Sequence, residues 1–130
     1  MKLELEDGTV IERPSEHDIE QALDTLGRHG NSFAILSQEM MTYVQTAGAR
    51  DSGYDLEYQE EDTEHHYRVP ELVSHDAVVS VFKRYARGDD SWKTEFAWER
   101  KEVGSGGSSG CLNVVLLVLV LVLVVARLAV

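Results

Sequence analysis

The feature that most restricts the fold is a repeated change of hydrophobic period along residues 1–102. Leu3 and Leu5 alternate with polar residues, as do Tyr54, Leu56 and Tyr58. A period of two belongs to a strand with one buried face. Ile19, Ala22, Leu23 and Leu26 recur instead at i, i+3, i+4 and i+7, and Val78, Val81, Phe82 and Tyr85 fall on a similar stripe. That spacing is one face of a helix. Glycine, proline and acidic clusters separate the runs and mark the turns.

Read in order, Asp7-Gly8 between Leu3/Leu5 and Val10/Ile11 predicts a type I′ hairpin, because both central residues of that turn need positive φ. Pro14 ends the second strand. Ser15 stands three residues before Asp18, a short capping box, and predicts a helix over 16–28 with Gly27 and Gly30 as its stop. Ser32–Ser37 and Met41–Thr46 read as two strands joined near Gln38–Met40, with a loop at Ala47–Gly53. Tyr54–Tyr58 and His65–Val69 read as a hairpin around Glu60-Glu61-Asp62, closed by Pro70. Ser74 caps a second helix, which Gly88 stops after Lys83, Arg84 and Arg87, cations suited to the helix dipole. Trp92, Thr94, Phe96 and Trp98 then alternate with Lys93, Glu95, Ala97 and Glu99, which predicts a last strand with an aromatic face. The order β-β-α-β-β-β-β-α-β, with hairpin-length links, implies an α+β domain. Its antiparallel sheet has about six to seven strands, with two helices packed on one face.

Charge narrows the partners. The 130 residues hold 12 Lys+Arg against 23 Asp+Glu, a net charge of −11. All 23 acidic residues, and 11 of the 12 basic ones, lie in residues 1–102. Such a domain repels phosphates, so nucleic acid is excluded as a partner. Cys111 is the single cysteine, so no disulfide forms within the chain. No apolar run follows Met1, and the domain is expected on the cytoplasmic side.

Beyond the acidic domain, residues 103–110 read as a Gly/Ser linker. Residues 111–130 hold 8 Val, 7 Leu and one charge, Arg127. Two readings stand. As a helix of ~30 Å this segment would match a bilayer core and tether the domain to the inner membrane. As a Val/Leu extension without a role it would be a sticky, β-prone segment. Cys111 beside it is either an acylation site or an unmodified thiol.

Chemistry-bearing clusters are few. His65-His66 after Glu60, Glu61, Asp62 and Glu64 holds metal-ligand types, but neighbours on a strand point to opposite faces, so a solvated hairpin is the plainer reading. Asp89-Asp90 is a carboxylate pair, more simply a turn. The nucleotide-binding, phosphate-loop, serine-hydrolase and zinc-protease motifs are missing. The expectation is therefore a binding protein with no catalysis, no metal and no cofactor. An acidic surface suits a cationic protein partner, since complementary charge speeds capture. The residues expected to make the contact are Asp55, Glu57, Glu60, Glu61, Asp62 and Glu64 of the hairpin, and Asp89, Asp90 and Trp92 after the second helix. Tyr43, Tyr54, Tyr58 and Tyr67 are either further anchors or core.

The stretch Ser32-Phe33-Ala34-Ile35-Leu36, then Tyr43-Val44-Gln45-Thr46, resembles the bacterial Imm1 immunity proteins. So does the later pattern Val81-Phe82-x-x-Tyr85-x-x-Gly88-Asp89-x-x-Trp92 with Trp98-Glu99. The resemblance spans residues 3–102 and omits the apolar tail. It implies a small α+β protein that neutralises a toxin delivered between competing bacteria, by binding and blocking a basic toxin domain. The alternative is a tail-anchored scaffold or adaptor domain.

Overall fold

The computed structural model describes residues 1–28 and 31–101. His29, Gly30, the Gly/Ser linker and the apolar tail with Cys111 and Arg127 lie outside the described residues. Among the described residues no helix is long and apolar enough to cross a membrane.

The elements follow the expected order. Strands β1 (Lys2–Leu5) and β2 (Val10–Glu12) precede helix α1 (Glu16–Asp24). Strands β3 (Phe33–Glu39), β4 (Thr42–Ala49), β5 (Gly53–Gln59) and β6 (His66–Arg68) follow. Helix α2 (His75–Arg87) and the short β7 (Glu99–Arg100) complete the domain. All seven strands form one sheet in the order β2-β1-β3-β4-β5-β6-β7, and every pairing is antiparallel.

The register separates two faces. Ile11, Leu3, Leu36, Val44, Tyr58 and Tyr67 stand side by side across six strands. The neighbouring row includes Leu5, Ala34, Thr46 and Leu56. Both helices press their apolar stripes on this face. Ile19, Ala22, Leu23 and Leu26 of the first helical segment and Val78, Val81, Phe82 and Tyr85 of the second are all buried in one cluster with it. The helices run antiparallel, since Glu16 pairs with Arg87 at 2.8 Å and Glu20 with Lys83 at 2.8 Å. These surface pairs set orientation more than stability.

The caps form as expected. Ser15 Oγ accepts from Asp18 N while the Asp18 carboxylate accepts from Ser15 N, so two amides of α1 without helical partners are satisfied. Ser74 Oγ accepts from Ala77 N at 3.2 Å, and Gly88 ends α2 at φ +76°.

Four expectations are corrected. The β1–β2 link is a three-residue loop closed by Leu5 and Thr9, not a type I′ turn: Gly8 has φ +92°, but Asp7 stays at negative φ. Helix α1 ends at Asp24, earlier than residue 28, and Gly27 follows in a turn. The expected loop at Ala47–Gly53 is mostly strand, with β4 and β5 paired as far as Ala49 and Gly53. The expected strand over Trp92–Trp98 is a 3-10 turn at Ser91–Thr94 followed by irregular chain. A straight strand would hold residues 92 and 98 ~20 Å apart. Here the two indole centroids are 5.7 Å apart, because both rings pack edge-on around Tyr58. Burial of the aromatic cluster overrides the local alternation. Arg84 pins this turn to α2 through a two-point bond to Glu95, at 2.6 and 2.7 Å.

Gly48 decides how closely β4 and β5 approach at their turn. Its φ is +141°, and an added Cβ would meet the Gly53 carbonyl oxygen at 2.2 Å, a backbone atom that cannot swing aside. Gly48→Ala is expected to cost ~2 kcal/mol or more in urea unfolding, whereas Gly88→Ala, where nothing lies within 4 Å, should cost ~1 kcal/mol from its positive φ alone. Equal costs at the two positions would refute the steric account.

Candidate functional site

Two polar features occupy the parts of the sheet that the helices leave. The first is a buried network on the opposite face. Gln45 of β4, Glu57 of β5 and Arg68 of β6 share one row, and Tyr43, Gln59 and His66 share the next. Gln45, Glu57, Gln59 and His66 are all buried. Gln45 Nε2 donates to Glu57 Oε2 at 2.6 Å. His66 Nε2 meets the same oxygen at 3.0 Å, and its Nδ1 meets Gln59 Oε1 at 3.1 Å. Both ring nitrogens thus face side-chain oxygens of β5. Tyr43 Oη donates to Gln59 Oε1 at 3.3 Å, and Gln59 Nε2 donates to the Met41 carbonyl at 3.1 Å. Lys101 closes the network, with Nζ 3.2 Å from Glu57 Oε1 and its amide bonded to the His66 carbonyl. Gln45 Oε1 is the one atom of the group left unpartnered.

Burial by itself would push the Glu57 carboxyl up. The His66 hydrogen bond, the Lys101 ammonium and the Gln45 amide outweigh it and hold the carboxyl down at about 2. Burial, with Glu57 nearby, pushes the Tyr43 phenol up to about 12. The network is thus a locked ion cluster. His66 spends both nitrogens on Glu57 and Gln59, so neither is aimed at a hydroxyl or thiol nucleophile.

The second feature is an acidic end of the sheet. The β3–β4 and β5–β6 turns lie at the same end, since Ser37, Tyr43, Gln59 and His66 are register partners just before them. Glu61 N bonds Thr42 Oγ1 at 3.1 Å and ties the two turns together. Glu61, Asp62 and Glu64 are exposed, and Glu60 is half-buried. Asp62 organises its own turn, accepting from Glu64 N, His65 N and His65 Nδ1, and the His65 bond holds its carboxyl below the usual range. Lys93 joins the acidic pair after α2 to this end. Its Nζ bonds Glu60 and stands 3.7 Å from Asp90 Oδ1, above the faces of Tyr58 and Trp92. The bond from Ser91 N to Asp89 Oδ1 holds that carboxyl low as well.

The expected contact residues therefore separate. Glu60, Glu61, Asp62, Glu64 and Asp90 come together, with Asp89 next in chain. Asp55 is exposed but lies at the far end of β5, opposite Ala47, about 16 Å along the strand from Glu60. Glu57 and Trp92 are withdrawn from solvent: Glu57 is buried in the ion cluster and Trp92 lies wholly inside the core. Tyr43, Tyr54 and Tyr58 are core too, with Tyr67 packed against them. His65 and His66 part as their spacing requires, one exposed and one buried. No group of three or more metal-ligating side chains assembles among the described residues. The sequence reading missed the Gln45–Glu57–Gln59–His66 network. Its only sequence signal was a Gln and an alternating Glu/Gln pair in adjoining strands, which becomes a cluster only when the register is known.

Comparison with protein-family models, with curated proteins and with solved structures gives no match to this chain.

The Glu57 shift has a signed consequence. A carboxyl held at about 2 when folded, against its usual 4.5, stabilises the fold fully above pH 4.5. That stabilisation is lost as pH falls from 4.5 towards 2, up to ~3 kcal/mol. Glu57→Gln, which keeps the acceptor but not the charge, is expected to flatten the pH dependence of urea stability in that window. An unchanged profile would place the acid sensitivity elsewhere.

Proposed function

We propose that this chain is a non-catalytic binding protein, an immunity protein of the Imm1 kind, that neutralises a basic bacterial toxin domain by covering it. The observation that carries the reading is the joining of two turns, separate in sequence, into one carboxylate surface at the end of the sheet, Glu60 to Glu64 with Asp89 and Asp90. Glu61, Asp62, Glu64, Asp89 and Asp90 are all exposed, so the field they make reaches solvent. Such a field steers a cationic partner into encounter and penalises partners of the wrong charge. Beneath it the turns are held rigidly by Asp62, Thr42 and Lys93, so little ordering cost accompanies binding. The resemblance over residues 3–102 supplies the class of partner, a toxin whose basic groove the acidic end would occlude.

The test begins with the full chain as bait in a lysate of its native host, followed by purification of any stoichiometric partner. Glu60→Lys, Glu61→Lys and Glu64→Lys together are expected to weaken that complex at least ~100-fold and to flatten its salt dependence. Asp55→Lys, at the far end of the strand, should leave affinity within ~3-fold, since rim and remote charges contribute little. Circular dichroism confirms that each variant is folded. Wild-type affinity and salt slope in the triple variant, or recovery of no stoichiometric basic protein, would overturn the reading.

A further inference from the structure

Beside the acidic end, the sheet face away from the helices carries a groove. The register sets Glu12, Lys2, Ser37 and Tyr43 in one row across β2, β1, β3 and β4, with Ile35 in the next. Together with Glu39 and Met40 of the β3–β4 turn they line a cavity of about 330 Å³. That is the small end of ligand-site volumes, suited to one long side chain and not to a folded segment.

The lining is mixed in a particular way. Ile35 and the ring of Tyr43 form apolar floor, and Met40, 65 % exposed, is an adaptable wall. Lys2 is already matched, its Nζ 3.3 Å from Glu4 Oε1. Glu12 and Glu39 make no ion pair with any described residue, and both are exposed. Apolar walls below and uncompensated carboxylates at the rim match a side chain with an aliphatic stem and a cationic head. The groove also adjoins the acidic end directly, because the β3–β4 turn is bonded to the β5–β6 turn through Thr42 and Glu61.

We propose that this groove is a subsite for one cationic side chain, arginine or lysine, projecting from the basic partner of the acidic end. This inference rests on the binding reading above and adds the residue type that the partner must present. The carboxylates of Glu12 and Glu39 receive the cationic head, and Ile35, Tyr43 and Met40 cover the stem.

The test uses capped pentapeptides Gly-Gly-X-Gly-Gly, with X arginine, lysine, citrulline or norleucine, titrated into the isotopically labelled full chain. The arginine or lysine peptide is expected to shift the amides of Ile35, Ser37, Glu39 and Met40 in a saturable way, and the two neutral peptides are not. Comparing the two cationic peptides decides between guanidinium and ammonium. Glu12→Gln with Glu39→Gln should weaken the preferred peptide at least about fivefold. Equal shifts from norleucine, shifts confined to residues 60–64, or no shift at all would overturn the subsite. Failure of the subsite is distinguishable from failure of the acidic-end reading. If the Glu12/Glu39 variant keeps full affinity for the purified partner while the Glu60/Glu61/Glu64 variant loses it, the groove inference falls and the binding surface stands.

Discussion

Strand β5 carries opposite demands on its two faces, and the rest of the domain is arranged to meet both. Tyr54, Leu56 and Tyr58 enter the apolar cluster under the helices. Glu57 and Gln59, one residue out of phase, are buried on the other side with their polar atoms engaged. A period of two leaves no freedom here: a slip by one residue would drive a carboxylate into the aromatic core and a tyrosine into the ion cluster. The register of β4, β5 and β6 is therefore fixed twice, by packing on one face and by hydrogen bonds on the other. An isolated buried carboxylate is expensive, and Glu57 persists only because Gln45, His66 and Lys101 converge on it.

The same strand places the acidic surface. Because β5 ends at Gln59, its turn emerges beside that of β3 and β4, and the acidic residues after it stand over a rigid base. Tyr58 gathers Tyr67, Trp92 and Trp98 around its ring, and Trp92 draws the segment after α2 down onto the sheet. Lys93 then reaches Glu60. An aromatic contact in the core thus sets which carboxylates become neighbours at the surface. Lys93 also separates Glu60 from Asp90, which lowers the repulsion between like charges brought close together.

Much of the architecture was legible from period and punctuation. Both helical stripes, both serine caps, the Gly88 stop and the element order follow from spacing and capping chemistry that act within a few residues. The errors cluster where distant contacts compete with local pattern. Trp92 to Trp98 alternates like a strand, yet the indoles collect around one tyrosine. Gln45, Glu57 and Gln59 look like solvent-facing residues of half-buried strands, yet His66 and Lys101 close over them. The exposure of the turn carboxylates was legible because turns reach solvent in almost any packing. Glu57 and Trp92 were misjudged because burial depends on what packs against a residue from elsewhere in the chain.

By itself the sequence determined the class of fold, the two helices and the surplus of carboxylates, since propensity, capping and net charge are properties of short segments or of composition. Only the tertiary structure decided which carboxylates share a surface, which one is locked beneath it, and where a groove opens beside them. Those outcomes depend on strand register and on side chains meeting across long chain separations, and a linear sequence does not specify which strands will be neighbours.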